Sequence, residues 1–100
     1  MPAVVRVSVE FMGPFEFDFG TASTEVTLRS PATMATLLQH LAARWPAGKN
    51  LWRSLCNHES PRHRYCYISL DHTALAPAAV LSTPLHDGAR VCVSMPMAGG

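Results

Sequence analysis

Lysine is nearly missing from this chain of 100 residues: Lys49 stands alone, and the other seven basic side chains are arginines. Basic and acidic residues almost balance, at eight and seven, and neither sign forms a run. The basic footprint that holds nucleic acid is therefore lacking. Long apolar runs are lacking too, since no segment approaches the ~18 residues a membrane span needs. Partners of either kind, nucleic acid or membrane, are not expected. The opening segment "MPAVVRVSVEF" has no basic stretch followed by a continuous apolar one. It reads as a strand and not as a signal peptide. Cysteine occurs three times, at Cys56, Cys66 and Cys92. An odd count without repeated spacing gives no disulfide framework, and a reducing, cytoplasmic setting is expected. Internal repeats and low-complexity tracts are also missing.

What is present is apolar patterning, with 48% hydrophobic residues, enough for one core in one domain. From Val4 to Phe11, Val5, Val7, Val9 and Phe11 alternate with Arg6, Ser8 and Glu10, which is the period of a half-buried strand. Gly13-Pro14 signals a turn. Phe15, Phe17 and Phe19 alternate with Glu16 and Asp18, so this stretch is expected to extend as a ribbon. Ser23 to Arg29 is a second strand with Val26 and Leu28 inward, completing an N-terminal hairpin.

In "SPATMATLLQHLAARWPAG", Ser30 is placed to cap a helix and Pro31 to begin it. Met34, Leu37, Leu38, Leu41 and Trp45 form the stripe of an amphipathic helix, expected over residues 32–45, with Pro46 and Gly48 ending it. Gly48 to Arg64 is irregular. Tyr65 to Leu70 is a third strand, Asp71 to Gly88 a connection, and Ala89 to Met95 the last strand, following the Asp87-Gly88 turn. One apolar helix stripe and several one-faced strands give a two-layer α+β domain. A mixed sheet grasping one main helix, the β-grasp arrangement, satisfies this order, with the first and last strands side by side at the centre.

The end of the chain, "TPLHDGARVCVSMPMAGG", resembles the MoaD/ThiS family of ubiquitin-like sulfur carriers. Pro84, Leu85, Asp87, Gly88 and Val91 match the segment leading into that family's last strand. Pro96, Ala98, Gly99 and Gly100 match its tail. The strand, strand and helix layout of the first half agrees more loosely. The resemblance implies a β-grasp domain over residues 1–95 and a flexible tail over 96–100. It also implies a cycle. An E1-like adenylating enzyme uses ATP to activate the carboxylate of Gly100. A sulfur donor, such as a sulfurtransferase or cysteine desulfurase, converts the adenylate to a thiocarboxylate. The sulfur then passes to an accepting synthase subunit. The chain would be a carrier and not an enzyme, with no cofactor of its own. The small subunit of molybdopterin synthase is the commonest version; thiamin, cysteine and secondary-metabolite pathways use others.

The tail chemistry has physical reasons. Gly99 and Gly100, without Cβ atoms, pass through a narrow channel, and Pro96 holds the arm extended. Met95 to Gly100 span on the order of 20 Å at about 3.3–3.6 Å per residue. Met95 and Met97 offer adaptable contacts beside the arm. Phe15, Phe17 and Phe19 either pack over the sheet end or join Met95 in a docking patch for partners. Cys56, His58, His63 and Cys66 match no common zinc spacing, so no metal site is expected. Cys66 and Cys92 read as strand residues. The alternatives to a sulfur carrier are a ubiquitin-like modifier conjugated through Gly100 and a passive β-grasp interaction module.

Overall fold

The alternating valines of the first segment form β1 (Val4–Phe11), whose inward residues Val5, Val7, Val9 and Phe11 are all buried. A computed structural model describes residues 3–49, 67–76 and 79–94. Antiparallel to β1 lies β2 (Ser23–Arg29), with Val7 opposite Val26 and Val5 opposite Leu28.

The link between these strands is not a ribbon but a helix, α1 (Pro14–Phe19). Proline at the first helical position favours this start, and Gly20 closes the other end by donating its N–H to the carbonyls of Glu16 and Phe17. Helical geometry changes what the alternating phenylalanines mean. Residues four apart share a face, whereas residues two apart point nearly opposite ways. Phe19 is accordingly buried and stacks on Phe11 at 4.1 Å between ring centroids, while Phe15 is half-buried. Phe17 stands 89% exposed.

The main helix also begins later than the sequence suggests. Ala32–Thr33 forms a short strand, β3, before α2 (Met34–Arg44). The cap is Thr33 and not Ser30. The Thr33 hydroxyl accepts the Thr36 N–H, and the Thr36 hydroxyl accepts the Thr33 N–H, a reciprocal box. Backbone pairing of β3 with a later strand takes Ala32 and Thr33 out of the helix. The stripe itself is as expected: Met34, Leu37, Leu38 and Leu41 are each at most 1% exposed. Trp45 ends α2 and meets Phe19 edge-on at 5.9 Å, with the Arg44 guanidinium 4.7 Å from its ring centre. A further helical turn covers residues 46–49.

The next strand, β4 (Tyr67–Leu70), turns at once into β5 (Thr73–Ala74). Asp71 and His72, the two residues between, have φ of 50° and 71°. A two-residue hairpin turn with both central φ positive matches the twist of the strands it joins. After β6 (Pro84–Leu85), which pairs with β3, comes β7 (Ala89–Ser94). The segment 71–88, expected as a plain connection, thus contributes two short strands.

The main sheet runs β2-β1-β7-β4-β5, with β1 and β7 parallel and central. Its inner face carries Val91, Val93, Ile68, Val26 and Leu28 against the α2 stripe. This is the mixed sheet on one helix that the order of elements predicts.

Candidate functional site

β7 is held on both sides. Val9 and Phe11 of β1 lie opposite Val91 and Val93, and Tyr67 and Ile68 of β4 lie opposite Ser94 and Val93. Past the end of β1, the Met12 N–H still donates to the Val93 carbonyl at 3.0 Å. Val91 and Val93 are at most 1% exposed, so the strand is fixed in register up to Ser94. The tail residues expected to carry the chemistry, Met95, Pro96, Met97, Ala98, Gly99 and Gly100, lie outside the described residues. So do Cys56, His58, His63 and Cys66. Among the described residues no three His, Cys, Asp or Glu side chains gather to hold a metal.

The end of the sheet from which β7 leaves is also the end where α1 sits, because β1 and β7 are parallel and α1 follows β1. Two large apolar side chains are exposed there: Met12, 52% accessible, and Phe17. The structure separates the three phenylalanines. Only Phe17 presents its full ring to solvent, Phe15 presents part of one, and Phe19 belongs to the core. Met12 is the residue that sequence reasoning missed, and its place just after the last inward position of β1 was the available signal.

Beside Met12, on the sheet face away from α2, is a hollow of ≈ 270 Å³ lined by Glu10, Met12, Ser69, His72, Arg90 and Cys92. The Cys92 thiol lies 3.3 Å from the Met12 sulfur. Partial burial, with Glu10 nearby, pushes the Cys92 thiol above its ordinary range. A thiol held protonated is a poor nucleophile, so Cys92 fits a packing role.

The segment entering β7 is pinned by two carboxylates. Asp87 Oδ1 accepts the Arg6 N–H at 2.8 Å, and the Gly88 N–H donates to the Arg6 carbonyl at 2.8 Å. The Asp-Gly pair thereby prolongs the β1–β7 ladder. Asp71, at the β4–β5 turn, accepts the Arg90 N–H at 2.9 Å through Oδ1 and contacts His86 Nε2 at 2.6 Å through Oδ2. The other ring nitrogen of His86, Nδ1, faces the Asp87 carbonyl at 2.8 Å. Both partners of the ring can only accept, so the geometry favours the doubly protonated imidazolium. The His86 pKa is raised, chiefly by the Asp71 hydrogen bond, and that of Asp71 is lowered, chiefly by His86. These contacts set where β7 starts, and hence where its far end points.

No protein-family model and no curated protein matches the chain. Solved structures do. The HVO 2177 protein of Haloferax volcanii aligns at a TM-score of 0.75 and 21% identity, over 98% of this chain and 89% of that one. Small archaeal modifier protein 1 of the same organism aligns at 0.72 and 17% identity, over 95% and 99%. A candidate molybdopterin converting factor, subunit 1, from Pyrococcus furiosus aligns at 0.70 and 18%, over 93% and 99%. The chain therefore has the β-grasp, ubiquitin-like fold that these structures share.

Proposed function

We propose that this chain is a sulfur carrier whose Gly100, as the C-terminal residue of the mature protein, is adenylated by an E1-like enzyme and converted to a thiocarboxylate. The observation that carries the proposal is the position of β7. It is the central strand, paired with β1 as far as Val93 and with β4 as far as Ser94, and the sequence that follows it is Met-Pro-Met-Ala-Gly-Gly. A reacting carboxylate on a short arm gains precision from a rigid base. In the proposed step the Gly100 carboxylate attacks the α-phosphorus of ATP and releases pyrophosphate. Sulfide-level sulfur from the donor, as hydrosulfide, then attacks the acyl carbon and expels AMP, leaving the thiocarboxylate. In this proposal the protein contributes a substrate group and no catalytic side chain.

Met12 and Phe17 are assigned as the docking surface next to the arm, with Phe15 at its margin. An exposed aromatic beside an exposed methionine suits a carrier that must fit an activating enzyme, a sulfur donor and an acceptor in turn. A second reading, a protein modifier joined to target lysines through Gly100, is favoured by the likeness to small archaeal modifier proteins.

One experiment tests both. The protein is isolated from its source and then incubated with ATP, a sulfur donor and the adenylating enzyme of that source, and intact masses are read. The carrier reading expects a chain ending at Gly100 that exchanges one oxygen for sulfur. A lysine-linked conjugate without any thiocarboxylate supports the modifier. Neither product, or a chain that continues past Gly100, overturns both readings.

A further inference from the structure

The outer edge of β2 has the makings of a self-complementary ladder, and we infer that two copies of this chain pair through it, β2 against β2, antiparallel. This rests on the sheet alone and not on the chemistry proposed for the tail.

The direction of each backbone group in β2 follows from two hydrogen bonds. Phe11 N–H donates to the Ala22 carbonyl, and Ser30 N–H donates to the Ala3 carbonyl. Hydrogen-bonded pairs alternate along an antiparallel ladder. Thr24, Val26 and Leu28 therefore direct their N–H and C=O groups toward β1, and Glu25, Thr27 and Arg29 direct theirs outward. Among the described residues no strand lies on that outer side. Ser23, which also points outward, is already occupied: its N–H and C=O both bond to the Thr21 hydroxyl, at 3.4 and 2.8 Å.

Placing Thr27 opposite Thr27 of a second copy sets every other pair. Glu25 falls opposite Arg29 twice, once on each side of the two-fold axis, on the outer face. Val26 falls opposite Leu28 on the core face. All three outward residues then lie in hydrogen-bonded pairs. The ladder stops where it should, because the next outward pair sets the occupied Ser23 against Pro31, which has no N–H to give. Glu25 and Arg29 are exposed, and neither joins an ion pair among the described residues. Opposite charges directly across a ladder favour pairing, and like charges oppose it.

The product is one continuous sheet of ten strands. A two-fold axis through Thr27 reverses every strand of the second copy, so the two β7 strands run in opposite directions. Their Ser94 ends lie at opposite ends of the joined sheet. Three residues per copy make a weak dimer, to be read at high concentration.

The test is sedimentation equilibrium of the full chain from low micromolar to near-millimolar concentration, with urea midpoints measured to confirm folding of each variant. The expected result is a reversible monomer–dimer equilibrium. Glu25→Arg, which sets like charges opposite each other twice, should raise the dimer dissociation constant about tenfold. Adding Arg29→Glu to it should restore the wild-type value, because the pairs re-form with signs exchanged. Thr27→Pro, whose lost N–H points out of the sheet, should abolish the dimer. Should Thr27→Pro fail to fold, the charge-exchange series still decides. A monomer at every concentration overturns the proposal. So does a dimer that Glu25→Arg leaves unchanged, or one that the double exchange does not rescue.

Discussion

His86 is the residue whose surroundings most directly predict a measurable behaviour. Its ring bridges the Asp71 carboxylate and the Asp87 carbonyl, so folding raises its pKa above the ordinary 6.5. A group with a raised folded pKa contributes stability that is complete below pH ~6.5 and fades as pH climbs through the folded value. Asp71 has the opposite sign: its contribution is complete above its ordinary 3.8 and fades as pH falls through the lowered folded value. The latch is therefore strongest in mildly acid solution, between these two limits. Urea midpoints should decline for the wild type between pH 6 and 8, and the decline should be shallower in His86→Gln. Identical slopes would remove the latch from the account. Both side chains are substantially exposed, so the difference should be small. A neighbouring residue gives a second expectation. Gly88 has φ of +85°, a conformation that costs an L side chain about 1–2 kcal/mol, and a Cβ there would meet nothing within 4 Å. Gly88→Ala should thus lower stability by about that amount through backbone strain alone, read as a shift in the denaturation midpoint.

At the scale of elements, α1 separates packing from surface. Phe19 stacks on Phe11 and meets Trp45, so Phe19→Ala should cost about 3–5 kcal/mol in urea denaturation. Phe17→Ser changes an exposed side chain and should stay within about 0.5 kcal/mol of wild type. The same substitution should weaken the proposed binding to the adenylating enzyme about tenfold, measured by titration. Equal binding would take Phe17 out of the docking surface. This helix also shows where reading from sequence stops. An alternation of Phe with Glu and Asp over five residues fits a strand, and only the flanking Pro14 and Gly20 argue for a helical turn. Period-2 and period-3.6 patterns are hard to separate over so short a run. The start of α2 departs from the sequence pattern for a related reason. Ser30-Pro31 has the local chemistry of a helix start, but Ala32 and Thr33 are drawn into a strand by Pro84 and Leu85, some fifty positions away. Long, regular segments were legible: β1, β2, β7 and the α2 stripe need no distant partner to declare their period.

For the whole molecule, the order of elements already implied the β-grasp sheet with β1 and β7 central, because α2 carries the chain over that parallel pair from β2 on one side to β4 on the other. The latches around β7 were hidden, since Asp71, His86 and Arg90 meet only once β4 and β7 are paired. The expectation for the tail rests on resemblance, as glycine carries no side-chain pattern of its own. This division predicts that stability and the proposed sulfur transfer can be uncoupled. The described contacts of β7 are complete at Ser94, and Gly99 and Gly100 have no side chains to bury. A chain shortened to end at Ala98 should therefore keep its denaturation midpoint, to within about 0.5 kcal/mol, and form no thiocarboxylate. Leu41→Ala in α2 should do the reverse. It should lose about 2–5 kcal/mol from a side chain with no exposed surface, yet still accept sulfur at Gly100 under conditions where it remains folded. Measuring both quantities on both variants makes the separation decisive. A shortened chain that unfolds early would give the last residues a structural role, and one that still gains sulfur would move the reacting group away from Gly100.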